Sequence, residues 1–170
     1  SEEQLKEIHR NYIGAVGSAY HAVVSGKYVI EQLSRIPVEV DLASEFRYRN
    51  PILGEHCLVI IISQCGETAD TLAAMREAKK HGVRTLAVVN VVGSSIAREA
   101  DDVLYTWAGP EIAVATTKGY TSQLAALYLL GMYLGQTRRT LSQEDYEQML
   151  NELAILPAKM EKLLESKQAI

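Results

Sequence analysis

Two cysteines in 170 residues are too few for a disulfide framework. Cys57 stands in an apolar run and reads as a small core residue. Neither C-x-x-C nor H-x-x-x-H spacing occurs, so the sequence carries no metal signature. His9, His56 and His81 fall at element ends, and His21 reads as a satisfied histidine inside a helix. A large excess of charge of one sign is also lacking. Lys and Arg number 17 against 21 Asp and Glu, a net charge of -4, which argues against a nucleic-acid surface. The longest apolar stretch, 124–134, falls well short of the roughly 20 residues a membrane span needs and is expected to be a helix buried in the core or against another chain. No secretory leader is visible, and the start at Ser1 rather than Met reads as the mark of a processed or excised piece. A reducing, cytoplasmic setting is therefore expected. The G-x-G-x-x-G fingerprint is missing as well. Gly14 and Gly17 flank the first turn and Asp41 ends the second strand, but positions 12 and 20 are both tyrosine, which counts against a dinucleotide site.

Short apolar runs alternate with longer helical patterns, without repeats or low-complexity segments. This alternation predicts an α/β fold: a three-layer sandwich in which helices flank a central five-stranded parallel sheet, of the flavodoxin or Rossmann-like kind. Strands are expected within 11–16 and at 38–42, 58–62, 85–89 and 103–106. Helices are expected over 17–34, 43–48, 72–80 and 121–135. Lys79, Lys80 and Gly82 form a stop signal for the third of these. Ser142 and Asp145 resemble a capping box. Tyr146, Met149, Leu150, Leu153 and Leu156 then recur at helical spacing, Pro157 interrupts them, and Met160, Leu163 and Leu164 resume. The chain reads as one domain, 1–170, with 142–170 as a helical arm or connector.

The most informative stretch is Ser63-Gln64-Cys65-Gly66-Glu67-Thr68. It joins a wholly apolar strand to a helix, so a hydroxyl-rich turn meets free backbone N–H groups and a positive helix end. Gly66 would let the backbone approach a ligand closely. A phosphate group suits such a turn. Ordinary helix capping by Ser and Thr also explains it. A nucleophilic Cys65 at the helix N-terminus is a third reading. Glu67 reads either as an acid or base or as a first-turn Glu favoured by the helix dipole. In open parallel sheets ligands lie outside the carboxyl ends of the strands, so the loops at 16–19 and 63–68 should share a crevice, which the 111–118 stretch could close.

The 63–68 stretch resembles the S-Q-S-G-E-T phosphate loop of sugar isomerase (SIS) domains. Arg35 through Val40, Ala43 through Arg49, Gly93 through Asp101, and Gly109 through Lys118 resemble the glutamine–fructose-6-phosphate aminotransferase family, also called glucosamine-6-phosphate synthases. The similarity runs over most of the chain. It implies the first SIS half of the family's isomerase domain, without the glutaminase domain, the second SIS half or the C-terminal tail. The family's catalytic Glu, His and Lys belong to those other parts, so the resemblance implies no catalytic residue here and an isolated chain that is inactive. It places Ser63, Gln64, Cys65, Gly66 and Thr68 around the phosphate of fructose 6-phosphate or glucosamine 6-phosphate. It places Gly17, Ser18, Ala19, Val114 and Thr116 along the sugar. It implies no cofactor, and as partners a phosphosugar, the second SIS half, the glutaminase domain and a second copy in a homodimer. A stand-alone phosphosugar-binding or regulatory SIS module, or another SIS phosphosugar isomerase or deglycase, are the alternatives.

Three positions depart from the family's runs. A-C-G-T-S stands here as Ala15-Val16-Gly17-Ser18-Ala19, with a thiol lost at Val16 and a hydroxyl at Ala19. The middle Ser of the phosphate loop is Cys65. V-A-S-T-K stands as Val114-Ala115-Thr116-Thr117-Lys118 and keeps its hydroxyl. A thiol is a weak donor, and losing one hydrogen bond to a charged group weakens binding by about ten- to a hundredfold.

Overall fold

A computed structural model describes residues 2–165. The run Cys57-Leu58-Val59-Ile60-Ile61-Ile62 explains the architecture. Alternate side chains of a strand point to opposite faces, and here both sets are apolar, so both faces must be covered. Val59 and Ile61 join one buried cluster and Ile60 and Ile62 the other.

The elements run α1 (Glu2–Lys6), β1 (Arg10–Ala15), α2 (Ser18–Ser34), β2 (Val38–Leu42), α3 (Ala43–Phe46), β3 (Cys57–Ser63), α4 (Ala69–Lys80), β4 (Arg84–Val89), α5 (Ser95–Glu99), β5 (Asp102–Tyr105), α6 (Lys118–Thr137) and α7 (Gln143–Glu165). The five strands form one sheet in the order β2-β1-β3-β4-β5, with every neighbouring pair parallel. One cluster sets Ile13, Ile60, Ile62 and Val88 of the sheet against Val23 and Ile30 of α2 and Leu127 and Leu134 of α6. The other sets Tyr12, Val59, Ile61 and Val89 against Phe46 of α3, Met75 of α4 and Ile96 of α5. The result is the expected three-layer α/β sandwich. Strand order reverses between β1 and β3, which creates a switch point at their carboxyl ends.

Several details differ from the sequence reading: α3 ends at Phe46 rather than 48, and α4 starts at Ala69 rather than 72. The short helices α1 and α5 carry too few apolar repeats to be read from periodicity. Helix α6 starts three residues before position 121, at Lys118. Within this one chain Tyr128, Leu129 and Tyr133 of α6 remain exposed, which leaves open the alternative that this face of the helix is set against another chain. Pro157 does not break α7, which runs through it. Proline removes one backbone donor and frees one carbonyl, and in an arm without buried residues water can satisfy that carbonyl. The Ser142 cap is present, its Oγ accepting the Asp145 N–H at 3.1 Å. Residues 166–170 of the arm, and Ser1 of the domain, lie outside the described residues.

Candidate functional site

Strand β3 ends at Ser63, whose side chain is buried, and α4 begins at Ala69. The five residues between them must turn sharply. Ser63 Oγ accepts the Gly66 N–H at 3.1 Å, which folds the turn back on the strand. Thr68 occupies the N-cap of α4 in extended conformation, but its hydroxyl makes no capping bond. It turns inward instead, 3.4 Å from Ser63 Oγ and 3.7 Å from Cys65 Sγ. Cys65 Sγ in turn lies 4.0 Å from Ser63 Oγ. Two hydroxyls and a thiol therefore converge at the start of a 12-residue helix, whose first N–H groups have no intrahelical acceptor. Burial pushes the exposed turn's Cys65 thiol up, but the Glu67 N–H at 3.5 Å and the Thr68 and Ser63 hydroxyls outweigh it. The thiol titrates below its ordinary value. The cluster offers donors to an anion, and the helix end supplies partial positive charge.

Gly66 has a reason beyond access for a ligand. It adopts φ 67°, and a Cβ there would lie 2.1 Å from Ser94 Oγ. Ser94 is buried under the turn. The Gly66 carbonyl accepts the Ile96 N–H at 3.0 Å, and the Gln64 carbonyl accepts the Asn90 N–H at 3.3 Å. Glu67 completes this seam, its Oε1 accepting the Ser95 N–H at 2.8 Å. The bonds from Ser95, with Arg98 nearby, hold the Glu67 carboxyl below the usual carboxylate range. Glu67 thus serves the first turn of α5, not that of α4. Ser94 and Ser95 lie in the 93–101 segment that the resemblance picked out, but nothing in their spacing marks them as supports of the turn.

Across the switch point, β1 ends at Ala15, and Gly17 at φ 59° caps α2. Ser18 and Ala19 form the first turn of that helix, half-buried beside the 63–68 turn's own strand. The 16–19 and 63–68 loops therefore open from adjacent strands. The third loop arrives at the same end through Gln64. A Cβ on Gly119 would lie 2.7 Å from Gln64 Oε1 and 2.3 Å from Thr116 Oγ1. Gln64 Oε1 is buried and has no hydrogen-bond partner among the described residues. Thr116 Oγ1 donates to Glu111 Oε2 at 2.9 Å. Val114 stands fully exposed on the loop, apart from these contacts. Asp41, the acid weighed for a dinucleotide ribose, is paired with Arg49, which also pairs with Glu39.

A cavity of about 750 Å³ opens at the opposite end of the sheet, among α1, the amino ends of β3 to β5, α6 and Tyr146. Its floor is apolar at Leu58, Leu86 and Leu104. Arg84 at its rim is already paired with Asp102 at 2.6 Å. The polar convergence lies at the carboxyl ends, where ligands of such sheets bind. No helix among the described residues is long and apolar enough to cross a membrane.

The chain is 61% identical over 166 residues to a glutamine–fructose-6-phosphate aminotransferase [isomerizing] of Clostridium tetani, covering 98% of this chain and 27% of that protein. It is 58% identical over 170 residues to the enzyme of that name from Clostridium acetobutylicum, covering 100% of this chain and 28% of that protein. The chain thus spans little more than a quarter of these relatives. Its structure matches the C-terminal domain of glucosamine-fructose-6-phosphate aminotransferase from Francisella tularensis with a TM-score of 0.93 at 35% identity, covering 99% of this chain and 48% of that one. A glucosamine-6-phosphate deaminase from Thermotoga maritima shares the fold, with a TM-score of 0.73 at 24% identity over 92% of this chain and 47% of that one. The SIS domain profile matches residues 4–133, most of the chain and every strand of the sheet. With that profile running through the 63–68 turn at the switch point, the chain belongs to the SIS domain family.

Proposed function

We propose that this chain is the phosphosugar-binding first SIS half of a glutamine–fructose-6-phosphate aminotransferase. The observation that carries the reading is the convergence of Ser63 Oγ, Cys65 Sγ and Thr68 Oγ1 within 3.4–4.0 Å at the start of α4. In this reading those three groups, with Gln64 and the Gly66 backbone, hold the phosphate of fructose 6-phosphate or glucosamine 6-phosphate. Gly17, Ser18 and Ala19 from the neighbouring strand end, and Val114 and Thr116 from the third loop, line the sugar. The similarity to the clostridial relatives over nearly the whole chain supports the aminotransferase over another phosphosugar enzyme.

The longer protein would transfer ammonia from glutamine to fructose 6-phosphate and isomerise the product to glucosamine 6-phosphate. A second SIS half and a glutaminase domain would supply the proton chemistry and the ammonia, so the chain by itself holds substrate without turning it over. Residues 1–170 act as one domain with 142–170 as its arm, it pairs with a second copy, and it works in the cytoplasm.

The test is titration of the purified chain with fructose 6-phosphate and glucosamine 6-phosphate, with inorganic phosphate as control. Saturable binding is expected. Thr68→Val keeps shape and removes the inward hydroxyl, so affinity falls about ten- to a hundredfold for all three. Binding that is absent at millimolar sugar phosphate, or indifferent to Thr68→Val, refutes the reading.

A further inference from the structure

Loop 112–118 has little apolar anchorage. Ile112 is 95% exposed and Val114 is 101% exposed. A loop without buried side chains keeps one conformation only if polar groups hold it. A single carboxylate does so here. Glu111 Oε2 accepts from Thr116 Oγ1 at 2.9 Å, from the Gly119 N–H at 3.2 Å and from the Thr117 N–H at 3.3 Å. Two of these donors belong to the N-cap and first turn of α6, which have no helical acceptor of their own. The Thr117 side chain makes no cap bond, so Glu111 caps the helix from six to eight residues upstream.

The clamp reaches the phosphate turn. The residue it pins, Gly119, is buried, and its α-carbon faces Gln64 and Thr116 so closely that no side chain fits there. Gln64 immediately follows Ser63. Glu111, Gly119 and Gln64 thus form a continuous contact from the exposed loop to the turn.

We propose that Glu111 is a positioning residue that builds the sugar end of the crevice by fixing loop 112–118 and the start of α6 against Gln64. The assignment rests on the phosphosugar reading for its consequence in binding, but not for the clamp itself. It follows that Glu111 acts chiefly on the sugar, which the third loop lines, and on the phosphate only through Gln64, one of several groups that hold it. Its direct partners are all on the third loop and α6, whereas the Ser63, Cys65 and Thr68 cluster is held by its own bonds and by the α5 seam. Bonds to a carboxylate are roughly twice as strong as bonds to a neutral acceptor. A glutamine keeps one carbonyl oxygen at the same reach and restores part of the clamp, while an alanine keeps none.

Two measurements on the 170-residue chain test this, after a thermal melt confirms that each variant is folded. The first is amide hydrogen exchange at Thr117 and Gly119 in the free protein. Glu111→Ala is expected to speed exchange at both by about tenfold or more, with Glu111→Gln in between. Unchanged exchange overturns the proposal, whatever the ligand. The second is titration. Glu111→Ala is expected to weaken fructose 6-phosphate by about tenfold and inorganic phosphate by less than about threefold, with Glu111→Gln recovering part of the difference. Equal losses for both ligands overturn it. If the unaltered chain binds no sugar phosphate, the functional reading fails, and the exchange experiment alone decides the role of Glu111.

Discussion

Cys65 places a sulfur among oxygens. Its neighbours Ser63 and Thr68 present hydroxyls, and the Glu67 N–H already points at it. A thiol donates weakly, so a phosphate held as proposed would lack one good donor at this position. Cys65→Ser is therefore expected to tighten inorganic phosphate and fructose 6-phosphate by about tenfold, read by titration. An unchanged or weaker affinity would show that position 65 does not face the ligand. The thiol also reports on the site. Hydrogen bonds to the sulfur favour the thiolate, so its pKa lies below that of an ordinary thiol and the reactive form persists to lower pH. Alkylation by iodoacetamide, followed at Cys65 by peptide mass, is expected to have its midpoint below that of a free cysteine. Fructose 6-phosphate should slow it. A midpoint at or above the free thiol, or no protection, contradicts this. The turn's donors were legible in the sequence because hydroxyls between an apolar strand and a helix are a local signal. Ser94 beneath Gly66 and Glu111 beside Gly119 were not, because those contacts join residues 28 and 8 positions apart that only tertiary packing brings together.

Helices α2 and α6 meet at small residues. A Cβ on Gly26 would lie 2.5 Å from Leu127 Cδ1 and 3.1 Å from Leu127 Cβ, so Gly26→Ala must displace a wholly buried leucine. Two effects oppose each other. Alanine raises helix propensity by about 1 kcal/mol. Overpacking a filled core costs about 1–3 kcal/mol. The clash wins, and Gly26→Ala is expected to lower the urea midpoint. In a Leu127→Ala background the 2.5 Å contact with Cδ1 is gone, only the 3.1 Å contact with Cβ remains beside a new cavity into which it can relax, and the same change should stabilise. A change of equal sign in both backgrounds would place the effect elsewhere. Strand positions came through in the sequence almost to the residue, because runs such as 58–62 and 85–89 have only one way to be buried. α6 was read as buried, in the core or against another chain, since its composition is apolar almost all round. Composition does not say how many faces a helix has covered, and Tyr128, Leu129 and Tyr133 are left open. Pro157 looked like an interruption because a proline costs a buried helix a hydrogen bond, and α7 is not buried.

Taken as a molecule, the chain is covered unevenly. The β2, β1 and β3 side of the sheet lies under α2 and α6. The amino ends of β3 to β5 border an open, largely apolar cavity next to exposed Leu129 and Tyr133. α7 adds Leu150, Ile155, Leu156, Met160, Leu163 and Leu164, each at least 39% exposed. Scattered apolar residues on a surface mean little, but a run of them from Leu150 to Leu164, on a helix whose Tyr146 lines the open apolar cavity, marks a surface built to be covered. The simplest cover for an isolated chain is a second copy, since a self-complementary contact buries the same run twice. Sedimentation at tens of micromolar is expected to show a dimer. Leu156→Lys with Leu163→Lys puts two charges on the run and should yield a monomer. Its melting temperature in the monomeric state should be unchanged, because no residue of α7 is buried within its own chain. A monomeric unaltered chain at high concentration removes the dimer. A dimer that survives both lysines moves the contact to the exposed face of α6, where Tyr133→Lys becomes the decisive change.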